Sequence, residues 1–179
     1  MHKDIKKVLI TAEQIQKRTD ELAELISKDY QGQPILMVCI LRGAVLFFAD
    51  LVRKINAEVN FDFMAVSSYG AGVSSSGEVR ILKDISGPIA GKNIIIVEDI
   101  IDSGNTLCYL KRLLQQRAPK SIKVAALLDK PERREADIAG DYVGFEVPNE
   151  FVVGYGLDYN EKYRNLPDVC VLKPEVYEK

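Results

Sequence analysis

The chain has 179 residues, enough for one domain with a sizeable core, and apolar residues make up 47% of it. Its formal net charge of −2 gives no basic surplus that would advertise nucleic-acid or membrane binding. Three cysteines (Cys39, Cys108, Cys170) form no C-x-x-C pair and sit in apolar runs, as reduced thiols of a cytosolic protein would. No apolar run is long enough to span a bilayer, and residues 1–7 lead into no signal-peptide core. His2 is the only histidine and sits at the chain end, so neither a Ser-His-Asp triad nor a histidine-ligated metal is available. Proton transfer therefore falls to a carboxylate, a lysine or a tyrosine.

Thr11 and Gln14 have capping-box spacing, and Ala12, Ile15, Thr19, Leu22 and Ile26 recur at helical spacing, which predicts an amphipathic helix over 11–30. A buried strand is expected at 35–40, a turn at Leu41-Arg-Gly-Ala44, a helix over 45–55 and a strand over 59–67. Residues 68–78, with three glycines and four serines, read as a mobile loop. A strand at 79–84, a turn at Gly87–Gly91, a strand at 94–99, a helix over 104–117 and a strand at 122–128 follow. This alternation indicates an α/β domain with a mainly parallel sheet. From 129 the chain is turn-rich, with short strands near 142–147, 151–155 and 169–172. This tail, about 130–179, is expected to form a small hood over the sheet's C-terminal edge, where ligands bind in such folds.

The richest stretch is Ile94-Ile-Ile-Val-Glu-Asp-Ile-Ile-Asp-Ser-Gly-Asn-Thr106. A β-branched strand runs into Glu98, Asp99 and Asp102, and a helix starts near Gly104. Free N–H groups at that helix start, with the side chains of Ser103, Asn105 and Thr106, can hold a phosphate. Carboxylates beside a phosphate are tolerable if they accept hydrogen bonds from sugar hydroxyls or organise Mg²⁺. The combination points to a phosphorylated sugar bound with a metal. Neither G-x-x-x-x-G-K-[ST] nor a strand-linked G-x-G-x-x-G is present, which argues against a P-loop or dinucleotide site.

Val97–Thr106 closely resembles the phosphoribosyl pyrophosphate motif of purine phosphoribosyltransferases. With Leu41-Arg-Gly-Ala44, Ser67-Ser-Tyr-Gly70, Leu128-Asp-Lys-Pro131 and Phe151-Val-Val-Gly-Tyr-Gly-Leu-Asp-Tyr-Asn-Glu161, the chain resembles the bacterial hypoxanthine-guanine (6-oxopurine) branch. The resemblance implies a type I phosphoribosyltransferase fold: a single domain over 1–179, with a twisted sheet, flanking helices and the hood. It implies transfer of the 5-phosphoribosyl group from phosphoribosyl pyrophosphate to hypoxanthine or guanine with Mg²⁺, and a cytoplasmic homo-oligomer, dimer or tetramer.

Residue by residue, the resemblance assigns Asp102 as the base that takes the purine proton. It places Arg42, Gly43 and Arg164 at pyrophosphate, with Ser68 and Tyr69 closing over it from the 68–78 lid. Glu98 and Asp99 go to the metal-linked ribose hydroxyls, Asp158 to the metal beside the purine, and Ser103, Gly104, Asn105 and Thr106 to the 5′-phosphate. Lys130, Phe151 and Val152 go to the purine: a donor for O6, a stacking ring and backbone groups for the base edge. It also implies a non-proline cis bond at Leu41–Arg42. Two positions depart from the common pattern, Ala44 in place of a glycine and Asn105 in place of a lysine or arginine. A β-carbon at 44 is tolerable if φ there is negative. A phosphoribosyltransferase for another base, and a regulator that binds nucleic acid, are the alternatives. Lys130 with the 151–158 segment argues against the first, and the net charge and intact Asp102 against the second.

Overall fold

The computed structural model describes residues 2–68 and 79–178, with the side chain of Ser68 excluded. Its frame is a six-stranded sheet of β2 (Ile35–Leu41), β3 (Val59–Ser68), β4 (Val79–Lys83), β5 (Asn93–Ile101), β6 (Ser121–Asp129) and β7 (Tyr142–Glu146). The order is β4-β3-β2-β5-β6-β7, parallel throughout except that β4 runs antiparallel to β3.

Most positions of the central strands are apolar because both faces are covered. On one face Met37, Cys39, Ile95, Val97, Ala125 and Leu127 pack under α1 (Ala12–Asp29) and α2 (Val45–Val52). On the other, Val38, Ile40, Ile94, Ile96, Val124 and Ala126 meet Leu107, Leu110 and Leu114 of α3 (Asn105–Gln115). Each fully buried aliphatic side chain contributes about 1.5–3 kcal/mol. The capping box at the start of α1 is formed: the Gln14 N–H donates to Thr11 Oγ1 (3.3 Å) and the Thr11 N–H to Gln14 Oε1 (2.8 Å). Among the described residues no helix is long and apolar enough to cross a membrane.

A second sheet, β1-β9-β8, is built from β1 (Ile5–Ile10), β8 (Val152–Val153) and β9 (Val169–Leu172), and a four-residue helix, α4 (Pro174–Tyr177), follows it. Two expectations change here. The segment Ile5–Ile10, for which no element is expected, is a strand of this small sheet. Its pattern was hidden because Lys6 and Lys7 are exposed and two register shifts interrupt its pairing with β9. The strand near 142–147 does not belong to the hood; it is β7, which pairs with β6 at the edge of the main sheet.

Candidate active site

Parallel β2, β5 and β6 deliver their following residues to one edge of the sheet. Arg42 and Gly43 follow β2, Glu98 and Asp99 lie near the carboxyl end of β5, Asp102 to Thr106 lead into α3, and Lys130 follows β6. The short loops leave these groups at the carboxyl ends of the strands, the usual ligand crevice of an open α/β sheet.

The phosphate turn is set by Gly104, the N-cap of α3, at φ +82°. A β-carbon there would be disfavoured by the left-handed backbone and would lie 2.6 Å from Ile138 Cγ2. A hollow of about 100 Å³ sits against this turn, lined by Glu98, Asp102, Ser103, Gly104 and Thr106 among others. The Asn105 side-chain amide donates to Glu135 (2.8 Å).

Arg134, which sequence reasoning passed over, holds the turn from behind. Its guanidinium donates to the carbonyls of Asp102 (3.1 Å) and Ile101 (3.4 Å), and it also binds the Ile138 carbonyl and the Asp129 carboxylate.

Glu98 and Asp99 are adjacent carboxylates at the strand end. Burial, then the charge of Asp99, pushes Glu98 well above the usual range. Burial likewise raises Asp99 from 3.8 to about 6, against hydrogen bonds from the backbone N–H groups of Ile100 and of Asp99 itself and the nearby Arg164 charge. A carboxyl raised in this way keeps its proton in the native state where the unfolded chain has lost it. Its contribution to stability is therefore lost as pH rises from 3.8 through about 6. Asp99→Asn is expected to stabilise the ligand-free protein near pH 7.5 by on the order of 2–3 kcal/mol, an advantage that fades toward pH 4. Melting curves at the two pH values test this; equal stability of both proteins at pH 7.5 would contradict it.

Two loops interlock beside Asp99. A β-carbon on Gly43 would fall 1.6 Å from Asp99 Oδ2, and one on Gly156 (φ +100°) would fall 2.0 Å from the Gly43 carbonyl oxygen. Ala44, by contrast, has φ −74° and is fully buried, so its methyl group is accommodated. The Leu41–Arg42 peptide is cis, as the resemblance implied. Arg42 Nη1 meets Glu161 Oε2 at 2.7 Å, and Arg164 Nη2 lies 2.9 Å from Asp158 Oδ1 and 3.6 Å from Glu161 Oε1. Arg164 Nη1 also donates to the Gly156 carbonyl (2.7 Å).

A cavity of about 460 Å³ opens under the small sheet and gathers Asp102, Lys130, Phe151, Val152 and Asp158. Ile100, Arg133, Leu157 and Tyr177 also line it; the sequence reading did not single out these four. Lys130 is only 8% exposed, and burial lowers its pKa, with the Asp102 charge opposing and Arg133 adding to the fall. Arg133 Nε pairs with Asp102 Oδ1 at 3.2 Å. The ring of Phe151 stacks on Tyr177 (centroids 4.7 Å apart, 22° between planes) and meets Tyr159 edge-on at 5.5 Å. β8 is an edge strand, and the Leu172 N–H donates to the Phe151 carbonyl (2.9 Å). Strand alternation therefore turns both the N–H and the C=O of Val152 toward the open edge.

The expected metal set is not a preformed cage. Among the described residues no three His, Cys, Asp or Glu side chains converge as a metal site. Tyr69, and the proposed lid as far as Glu78, lie outside the described residues, as does the side chain of Ser68.

Comparison with known proteins identifies the family. Residues 9–160 match the phosphoribosyl transferase domain family. The chain is 54% identical over 179 residues to a protein of Streptococcus thermophilus named hypoxanthine-guanine phosphoribosyltransferase, covering 100% of this chain and 99% of that one. A crystal structure of a hypoxanthine phosphoribosyltransferase from Staphylococcus aureus superimposes with a TM-score of 0.96 at 51% identity, covering 100% of this chain and 97% of that one. A hypoxanthine-guanine phosphoribosyltransferase from Bacillus anthracis, with a HEPES molecule in its active site, gives 0.90 at 49% identity over 94% of this chain and 99% of that one. The chain belongs to the phosphoribosyl transferase domain family.

Proposed function

We infer that the protein transfers the 5-phosphoribosyl group from phosphoribosyl pyrophosphate to hypoxanthine or guanine, releasing pyrophosphate and the nucleoside 5′-monophosphate. The observation that carries this reading is spatial. A cavity holding a buried lysine, an aromatic ring, free strand-edge backbone and Asp102 adjoins a glycine-capped phosphate turn. Base, sugar phosphate and leaving group each have a subsite on one sheet edge.

Phe151, Ile100 and Leu157 give the cavity apolar walls for a planar base. Lys130 donates to O6, and the exposed backbone of Val152 reads the base edge. Asp102 accepts the proton that the purine loses as its nitrogen attacks C1 of the ribose. Backbone N–H groups from Ser103 to Thr106 cradle the 5′-phosphate at the start of α3. Arg42, the Gly43 backbone and Arg164 hold pyrophosphate as negative charge grows on it.

Glu98, Asp99 and Asp158 suit Mg²⁺. They are hard oxygen donors, and the two on β5, Glu98 buried and Asp99 partly so, have raised pKa values that a divalent cation would relieve. When bound, the ion supplies positive charge that offsets the pyrophosphate; since these side chains form no cage of their own, substrate oxygens and water would complete its shell. The placement of the enzyme as a cytoplasmic homo-oligomer belongs to the same reading.

The test is direct. Protein, Mg²⁺ and phosphoribosyl pyrophosphate are mixed with hypoxanthine, guanine, xanthine or adenine in turn, and nucleotide formation is followed. Product from hypoxanthine or guanine, with little from adenine, is expected. Preference for adenine, or no product from any 6-oxopurine, would overturn the reading.

A further inference from the structure

We propose that Glu161 is a stand-in for pyrophosphate, a built-in anion that holds the leaving-group arginines together until the real ligand displaces it. This rests on the assignment of Arg42 and Arg164 to pyrophosphate. The two arginines come from loops more than a hundred residues apart in sequence. One carboxylate reaches both: Glu161 Oε2 lies 2.7 Å from Arg42 Nη1, and Oε1 lies 3.6 Å from Arg164 Nη2. A carboxylate presents a pair of anionic oxygens, as the edge of a phosphoryl group does, and arginine forks accept either. The cluster is therefore arranged around an anion.

The backbone carries a second, independent sign. Tyr159 and Lys162 exchange N–H···O bonds (3.2 and 3.1 Å) around a two-residue turn. Asn160 and Glu161 both have positive φ, +50° and +61°. This is a type I′ geometry, which favours Asn at its first central position and Gly at its second. Asn160 obeys that preference and Glu161 does not. Glu161 is therefore held in a left-handed position that the turn itself does not favour. Asp158 fixes the tip further by accepting the Glu161 N–H (2.9 Å). The turn thus aims one carboxylate at the arginines.

Such a contact must be weak enough to break. Arg42 and Glu161 side chains are 70% and 61% exposed, so their pairing is strongly screened. Glu161 keeps two like charges from repelling each other, yet its own charge opposes an incoming polyanion. Its removal should tighten pyrophosphate binding and slow pyrophosphate release. If holding the arginines in place outweighed that opposition, removal of Glu161 would weaken binding instead.

The experiment measures binding of inorganic pyrophosphate, with Mg²⁺, to the ligand-free wild type, Glu161→Gln, Glu161→Gly and Arg164→Ala. Glu161→Gln removes the charge and keeps the side chain; Glu161→Gly also suits the turn and so guards against a folding defect. Both are expected to bind pyrophosphate about 2- to 5-fold more tightly, the scale of exposed ion pairs. Their affinity for inosine monophosphate should not change. Unchanged or weaker pyrophosphate binding in both variants overturns the proposal while leaving the activity assignment standing. If the wild type fails to bind pyrophosphate, or Arg164→Ala binds it as tightly as the wild type, the arginine assignment fails and the proposal with it.

Discussion

Asp102→Asn is expected to lower turnover by roughly 10²-fold or more, the contribution of a positioned general base. The substitution keeps the shape of the side chain and removes its capacity to take a proton. The other carboxylates of the purine cavity are held elsewhere, Asp158 by Arg164 and Glu150 by Lys6 and Lys7. The only histidine, His2, packs edge-on against Tyr163 at 5.3 Å and does not line the purine cavity. Glu98 lines the hollow of the phosphate turn, whereas Asp102 lines both that hollow and the purine cavity. In the ligand-free protein Arg133 pairs with Asp102, but both side chains are about half exposed, at 52% and 45%. A pair this exposed is worth about 0–1 kcal/mol, so an entering purine can displace the arginine at little cost. Affinity for phosphoribosyl pyrophosphate should stay nearly normal, because the phosphate turn is shaped by Gly104 and braced by Arg134. Turnover measured beside equilibrium binding separates the two effects. An asparagine variant that turns over at a near-normal rate would remove Asp102 from the mechanism.

The residues easiest to read from the sequence belong to contiguous segments. Val97–Thr106 carries the end of a buried strand, three carboxylates, a left-handed glycine and a helix start, so local rules suffice to read it. The same holds for Lys130 immediately after β6 and for Ala44, whose negative φ accommodates its methyl group. Features made by distant partners were not legible. β1 pairs with β9 at the other end of the chain, and no local period marks it. Arg133 and Tyr177 carry ordinary surface chemistry in the sequence, and only folding brings them to the cavity beside Asp102 and Phe151. β7 went to the wrong layer because a short strand looks alike at a sheet edge and in a hood. Its register against Ala125–Asp129 decides the matter.

Lys130→Ala should weaken use of hypoxanthine and guanine sharply while leaving phosphoribosyl pyrophosphate binding little changed. Lys130 is 8% exposed and already bears the cost of burial, seen in its lowered pKa. An ammonium has donors only. A 6-oxopurine meets it with an acceptor, whereas adenine presents an amino donor at the same place and leaves both sides unpaired. Sites built around a buried polar contact can reject the mismatched analogue by roughly 10⁴-fold for this reason. The apolar walls of the cavity cannot supply that discrimination: the ring of Phe151 and the side chains of Ile100 and Leu157 contact any purine alike. Truncation should therefore narrow the gap between hypoxanthine and adenine, mostly by harming hypoxanthine. The sugar-phosphate subsite is expected to be spared, because Lys130 does not line the hollow of the phosphate turn. The comparison needed is kcat/KM for hypoxanthine, guanine and adenine in both proteins, with KM for phosphoribosyl pyrophosphate as the control. If the ratio between hypoxanthine and adenine is the same in the variant as in the wild type, selectivity does not reside in Lys130. It must then be carried by other polar groups of the cavity, the edge-strand backbone at Val152 among them.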